Sequence, residues 1–136
     1  MGLVYSEIKL VNLEDKIMAQ KGVIKEQDVR SMTVTAVVDT GAGTLVINED
    51  IRDKLGLKKK GARSGRLANG VRGMYDMAGS LELWWKDRDF ILDAMVIPGA
   101  KDILLGALPL EGMDLIVDPL RENLIGAHGD EIVIRV

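Results

Sequence analysis

The chain has 136 residues, a length typical of one folded domain, with 18 basic and 21 acidic residues and a formal charge of −3. It has no cysteine and one histidine, which excludes disulfides, thiolate nucleophiles, cysteine-ligated metals and multi-histidine metal sites. The acidic balance argues against a nucleic-acid partner, and no apolar run reaches the ~20 residues of a membrane span. We therefore expect a cytoplasmic protein with no metal, no cofactor and no membrane partner, whose chemistry rests on carboxylates, hydroxyls or the backbone.

The first part of the chain predicts a strand, a short helix and a second strand. Apolar residues indicate the first strand over Leu3–Val11, and Asn12 can cap a helix over Leu13–Lys21. Met32–Val38 alternates apolar and β-branched residues and is the clearest strand of the chain. It ends in a turn of small residues, Asp39-Thr40-Gly41-Ala42-Gly43.

The middle of the chain predicts a strand, a helix and a hairpin. Thr44–Ile47 is apolar and β-branched, and Asn48 then caps a helix over Glu49–Leu55. The basic run Lys58–Arg66 is expected to be a solvated loop that enters a hairpin, with a phosphate-binding patch as the alternative. Asn69-Gly70 is the strongest short signal for a hairpin turn.

The remainder predicts further short strands and a small helix from Pro109 to Glu111. The strands are expected at Leu81–Trp85, Phe90–Ile97, Ile103–Gly106, Leu115–Val117, Asn123–Ile125 and Glu131–Val136. Many short strands with two or three short helices predict a mainly-β fold, a closed or partly closed barrel.

Asp39 is the candidate functional carboxylate, because it follows an apolar strand directly and is supported by a glycine turn. Carboxylates at the edge of a core are functional-site candidates. The tripeptide is also common, and the alternative is that Asp39 only forms an Asx turn.

Two motifs favour the functional interpretation. Val37-Val38-Asp39-Thr40-Gly41-Ala42 resembles the active-site signature of retropepsin-like aspartic proteases, in which apolar residues precede Asp-Thr/Ser-Gly. Ile103-Leu104-Leu105-Gly106 resembles the second signature of that family, an apolar pair and the glycine that braces the catalytic turn. The Leu67–Met77 hairpin lies between them, where the family carries its flap. The resemblance extends over residues 32–119 and includes features of the bacterial single-domain members.

This resemblance implies an aspartic endopeptidase that hydrolyses a peptide or protein substrate as a symmetric homodimer. The chain holds one Asp-Thr-Gly, whereas the mechanism needs two carboxylates that share a proton and hold the attacking water. Each chain would supply Asp39. A non-proteolytic dimeric module of the same fold, which binds a peptide or small ligand in its cleft, is the alternative.

The resemblance also assigns roles to the residues around Asp39. Thr40 would bond across the two-fold axis, and Gly41 and Ala42 would contact the peptide in the cleft. Gly106 would pack beneath the catalytic turn. The flap tip, which closes over the substrate, would be formed by Asn69, Gly70 and Val71.

The expected organisation is one domain over residues 1–136. Residues 1–30 would form an N-terminal strand and helix, residues 31–119 the catalytic core, and residues 120–136 the C-terminal strands. Retroviral members often carry an Asp and an Arg, paired near the dimer interface, where this chain has Gly43 and Ala107. Because both are missing, no charge is left unpaired, and we expect dimer contacts from the terminal strands Leu3–Val11 and Glu131–Val136.

Overall fold

The structure is a computed structural model that describes residues 3–132, and it consists mainly of strands. The strands are β1 (Tyr5–Asn12), β2 (Ser31–Val38), β3 (Leu45–Ile47), β4 (Lys58–Arg66), β5 (Arg72–Trp85), β6 (Arg88–Val96), β7 (Ile103–Leu105), β8 (Leu115–Asp118) and β9 (Asn123–Gly126). The helices are α1 (Leu13–Gln20), α2 (Glu49–Leu55) and α3 (Ala107–Gly112), with a 3₁₀ turn at Glu26–Asp28. Within residues 3–132, no helix has the length and apolar character needed to cross a membrane.

Six strands close into a barrel. Their order is β1-β2-β7-β3-β6-β5, and the pairing of β5 with β1 completes the wall. β4 pairs with β5 outside this closed wall, and β8 forms a separate two-stranded sheet with β9. The mainly-β barrel with a few short helices that the sequence predicts is therefore confirmed.

β7 lies between β2 and β3, parallel to β2 and antiparallel to β3. At the end of the parallel pair, Val38 lies opposite Leu105. Parallel strands run in the same direction, so the residues that follow them emerge at the same edge of the sheet. The topology thus brings the turn after β2 beside Gly106, which follows β7.

The core is aliphatic and receives side chains from all six wall strands. Fully buried side chains include Ile8, Leu10, Leu45, Ile47, Leu81, Leu83, Leu105 and Val96. Helix α2 adds Ile51 and Leu55 to the same cluster. Burial of this kind stabilises the wall by roughly 1.5–3 kcal/mol per large aliphatic side chain.

The first two predicted helices follow the expected asparagine caps, and the third, expected from Pro109 to Glu111, extends over Ala107–Gly112. The Asn12 side chain accepts a hydrogen bond from the backbone N–H of Asp15 at 3.0 Å, and the Asn48 side chain accepts one from Ile51 at 3.0 Å. Each bond satisfies an amide that the first helical turn leaves without a partner. The α2 bounds are confirmed, and α1 ends at Gln20, one residue before the expected end.

The prediction of a loop over Lys58–Arg66 is wrong, because these residues form strand β4. Their side chains are almost all exposed, so no hydrophobic alternation marks the strand. β4 is instead held by backbone pairing with β5 along most of its length, with a bulge between Lys59 and Gly61. Charged residues are common on such edge strands because they discourage pairing with other chains.

The terminal strands also differ from expectation. Residues Lys9–Val11 of β1 pair with β2 on one side and β5 on the other, so this part of β1 has no free edge to offer a second chain. Of the strand expected over Glu131–Val136, residues 133–136 lie outside the described part, and Glu131 and Ile132 are not in a strand.

An ion pair fastens α1 to the loop before β2. Both carboxylate oxygens of Asp15 accept hydrogen bonds from the Arg30 guanidinium, at 2.8 and 3.0 Å, and one also accepts the Arg30 backbone N–H at 3.0 Å. These bonds to Arg30 hold the pKa of Asp15 below its ordinary value of 3.8. The folded protein therefore gains stability from ionised Asp15 above that pH and loses it as the pH falls through the lowered pKa.

We predict that Asp15→Asn lowers the free energy of unfolding at pH 7 by roughly 1–2 kcal/mol, because charge-assisted bonds are lost from a pair that is half exposed on the Arg30 side. Urea unfolding measures the change, and its difference from the wild type should shrink as the pH is lowered through 3.8.

Asp53→Asn is the matched control, since Asp53 pairs with Arg52 at 2.9 Å but is 68% exposed. Asp53→Asn should change the free energy of unfolding by no more than about 0.5 kcal/mol. A pH-independent loss in Asp15→Asn would contradict the role of the ionised carboxylate.

Candidate active site

The turn after β2 fixes the position of the Asp39 carboxylate through backbone contacts. The Asp39 N–H donates to the Leu105 carbonyl at 3.0 Å, which extends the parallel pairing by one residue. Its Oδ1 accepts the Gly41 N–H at 2.9 Å, and its carbonyl accepts the Ala42 N–H at 3.1 Å. The side chain is half-buried, so one oxygen is held by the turn while the carboxylate stays accessible.

The segment after β7 supports this turn from below. The Ala107 N–H donates to the Ala42 carbonyl at 2.8 Å, and the Leu108 N–H donates to the Gly43 carbonyl at 3.2 Å. A Cβ atom at position 106 would lie 2.5 Å from the Ala42 carbonyl oxygen and 2.8 Å from the Thr44 nitrogen. Only glycine allows the two backbones to approach this closely.

Asp39 lines a cleft of about 1070 Å³. One wall is the turn itself, with Gly41, Ala42 and Gly43, and the opposite wall is β4 from Lys60 to Arg66. Side chains of β5 and β6 complete it, namely Tyr75, Met77, Phe90, Ile91, Leu92, Asp93 and Met95. The volume and the apolar lining with a few polar groups are those of a ligand-binding cleft.

The β4–β5 hairpin ends in a three-residue loop, Ala68-Asn69-Gly70. Leu67 and Val71 close it through a bond from the Leu67 N–H to the Val71 carbonyl at 2.8 Å, and Asn69 Oδ1 accepts the Val71 N–H at 3.0 Å. Gly70 has a φ of +86°, a conformation that favours glycine. The Asn-Gly hairpin is confirmed, with a loop one residue longer than the two-residue turn that this dipeptide usually forms.

The predicted site residues fall into two groups. Asp39, Gly41 and Ala42 line the cleft, and Gly106 lies against the turn that carries them. Thr40 belongs to the same turn but is exposed. The second group, Asn69, Gly70 and Val71, lies at the exposed hairpin tip and not in the cleft wall.

Sequence reasoning missed the cleft-facing residues of β4 and β5, among them Lys60, Arg63 and Tyr75. The Asn-Gly signal does not give their register, because a two-residue turn at Asn69-Gly70 would place Arg63 opposite Asp76. The observed three-residue loop places Arg63 opposite Tyr75 instead. A shift of one residue moves every side chain of a strand to the other face, so the cleft-facing residues could not be assigned from the sequence.

The single histidine, His128, is exposed, and its Nδ1 lies 2.7 Å from the Asp114 carboxylate. It does not line the cleft.

Comparison with known proteins identifies the fold. Residues 26–128 match the aspartyl protease family. The chain belongs to this family. Its structure is similar to the retroviral protease-like domain of Ddi1 from Leishmania major, over 97% of this chain and 91% of that chain, with a TM-score of 0.59 and 17% identity.

A retropepsin-like aspartic protease from Rickettsia conorii aligns over 78% of each chain, with a TM-score of 0.37 and 15% identity. No curated protein matches the chain significantly. The family match and the similarity to the Leishmania domain confirm the expected retropepsin-like fold.

In this aspartyl protease fold, we predict that Gly106→Ala destabilises the protein by roughly 1–3 kcal/mol or more, because the new methyl group would meet backbone atoms of Ala42 and Thr44. Thermal unfolding measures the loss.

Gly43→Ala is the matched control from the same turn. Nothing lies within 4 Å of a Cβ at position 43, so its melting temperature should stay close to the wild-type value. Equal melting temperatures for both variants would contradict the close approach at Gly106.

Proposed function

We propose that this chain is an aspartic endopeptidase that acts as a symmetric homodimer. The observation that carries the proposal is the placement of Asp39, which lines a large cleft on a turn braced by backbone hydrogen bonds from the β7–α3 segment. Membership of the aspartyl protease family supports the same reaction class.

In the proposed mechanism, the two Asp39 carboxylates of the dimer hold one proton and a water molecule between them. The ionised carboxylate takes a proton from the water, whose oxygen bonds to the substrate carbonyl carbon, while the protonated carboxyl donates to the carbonyl oxygen. The resulting tetrahedral intermediate then breaks its C–N bond. The departing nitrogen takes the proton that the first carboxylate removed from the water, and a hydroxyl of the intermediate returns its proton to the second carboxylate as the carbonyl re-forms. The titration of such a dyad belongs to the pair and not to one residue.

Exposed residues around the turn support a second chain at this position. Thr40 is exposed, and its hydroxyl is free to meet the partner turn. Leu108 is 48% exposed although its backbone bonds to Gly43 in the same turn. An apolar side chain beside the Asp39 turn is suited to burial against a partner. We therefore propose that this edge carries dimer contacts, with Gly41 and Ala42 left to contact the peptide.

We propose that the β4–β5 hairpin is the flap. β4 is paired only with β5 and lies outside the closed barrel wall, so the hairpin can move without breaking the barrel. Its tip, at Asn69, Gly70 and Val71, is exposed and extends beyond the cleft wall. A movement of this segment over a bound peptide would exclude water from the reaction.

We predict that Asp39→Asn abolishes peptide hydrolysis, with a loss of at least ~10²–10⁴-fold, because it removes the acid–base carboxylate. The amide oxygen of asparagine still accepts the Gly41 N–H, so the fold should survive. Hydrolysis of a peptide library and circular dichroism measure the two effects.

Asp118→Asn is the matched control, since Asp118 also ends a strand and its Oδ1 accepts the N–H two residues later, from Leu120, at 3.0 Å. It lies outside the cleft lining, and its variant should keep activity. Activity retained in purified Asp39→Asn would overturn the catalytic assignment.

We predict that Asp39→Asn also inhibits the wild-type chain when the two are mixed. If each active site needs Asp39 from both chains, exchange at equal concentrations leaves roughly half the wild-type activity, since mixed dimers are inactive. Activity is measured after the mixture has equilibrated, with Asp118→Asn as the mixing control. Unchanged activity in a mixture shown to contain mixed dimers would rule out the shared dyad.

A further inference from the structure

The charges of this protein are strongly segregated. The run from Lys58 to Arg72 contains six of the 18 basic residues and no acidic residue, whereas all 21 acidic residues lie elsewhere. In the fold, this run is strand β4, the hairpin loop and the first residue of β5. The only wholly basic segment of an acidic chain therefore forms one wall of the Asp39 cleft.

Two of these six cations have ion-pair partners. Lys58 contacts Glu14 at 2.9 Å, and Lys59 contacts Asp76 at 3.3 Å. Within residues 3–132, the other four form no ion pair, and they are Lys60, Arg63, Arg66 and Arg72. The paired cations lie at the base of β4, and the unpaired ones lie along the cleft and toward the loop.

The strand register places Arg63 on the face of the hairpin that covers the cleft. Arg63 lies opposite Tyr75, and Gly65 lies opposite Gly73. A Cβ at either glycine would meet the Tyr75 side chain, at 3.1 and 3.2 Å, so these residues share one face. Met77, two residues after Tyr75, is buried and lines the cleft. Arg63 is thus the cation of this face, and the Tyr75 side chain packs over the two glycines.

Lys60 adds a second charge at the cleft. It sits at the bulge between Lys59 and Gly61, where the register shifts, and it lines the cleft. Bulges turn a side chain away from the regular alternation of the strand.

Arg66 and Arg72 are directly opposite each other where the hairpin loop begins. Because side chains alternate along a strand, both lie on the face of the hairpin opposite Arg63, and Arg72 does not line the cleft. Among the described residues, the unpaired cations of the cleft face are therefore Lys60 and Arg63.

We propose that this cleft selects extended peptides that carry acidic side chains, whose carboxylates bind Lys60 and Arg63. The inference rests on the proposed peptidase function and names its substrate class. A nucleic acid is disfavoured as the ligand, because the rest of the chain is acidic and would repel a long polyanion. The cleft also contains the carboxylates of Asp39 and Asp93, and a short peptide can place its acidic side chains on the β4 wall instead.

The test uses the full-length Asp39→Asn chain, which should bind peptides without cleaving them. Three fluorescent peptides of equal length share an apolar centre and differ only in flanking Glu, Gln or Lys residues. Fluorescence anisotropy should give the tightest binding for the Glu peptide and the weakest for the Lys peptide. Raising the salt from about 0.05 M to about 0.5 M should remove most of the difference.

Two substitutions with the same change of charge on the same strand localise the effect. Arg63→Gln, added to Asp39→Asn, should lower the affinity for the Glu peptide about threefold and leave the affinity for the Gln peptide unchanged. Lys58→Gln is the control, because Lys58 pairs with Glu14 and does not line the cleft. Lys60→Gln provides a second cleft variant if Arg63→Gln unfolds, which circular dichroism would show.

Equal affinity for the Glu and Gln peptides would overturn the inference. An equal loss of affinity for the Glu peptide in Lys58→Gln and Arg63→Gln would also overturn it, since the preference would then reflect net charge alone. A single-stranded oligonucleotide that displaces the Glu peptide at a lower concentration than unlabelled peptide would overturn it in favour of a nucleic-acid site.

The cleavage assay on the wild-type chain separates this inference from the proposed function. Cleavage of all three peptides at similar kcat/KM would support the peptidase and overturn the acidic preference. If the Glu peptide binds most tightly but no peptide is cleaved, the proposed peptidase function is overturned and the preference of the cleft for acidic peptides is supported.

Discussion

The parallel pairing of β2 with β7 is the interaction on which the site depends. It aligns Val38 with Leu105 and continues into the bond from the Asp39 N–H to the Leu105 carbonyl. The segment that follows β7, from Gly106 to Leu108, then lies under the turn that follows β2. The carboxylate is therefore oriented by backbone hydrogen bonds, and the side-chain requirement reduces to Asp39 itself and a glycine at position 106.

This backbone support accounts for the missing ion pair. The retroviral relatives that the sequence resembles carry opposite charges at the positions of Gly43 and Ala107. Here the same two segments are joined by main-chain bonds, from Ala107 to the Ala42 carbonyl and from Leu108 to the Gly43 carbonyl. The space around a Cβ at position 43 is open, so no packing depends on a side chain there. The turn keeps its geometry without those charges.

The elements that could be predicted from the sequence are those with a recognisable hydrophobic pattern or a helix cap. Met32–Val38 alternates, α2 has an asparagine cap and a glycine stop, and Ile103–Gly106 is an apolar run. β4 could not be found in this way, because its nine residues are nearly all exposed and its order comes from pairing with β5. The Asp39 turn was predictable because it follows the alternating strand Met32–Val38. The basic wall of the cleft was not predictable, since it depends on the register of a strand without a hydrophobic face.

The β4–β5 hairpin can contact an extended peptide in two ways, through its backbone and through its charged side chains. Gly61 and Gly65 bring the β4 backbone to the cleft, and main-chain contacts to the peptide proposed above would not depend on its sequence. Charges on the same wall act only on ligand side chains, so they alter which peptide binds without moving the Asp39 turn. Because β4 contacts the rest of the protein mainly through β5, its basic residues can change while the barrel and the brace at Gly106 stay fixed. In the proposed function, specificity and chemistry thus lie on different elements, the β4 strand and the Asp39 turn.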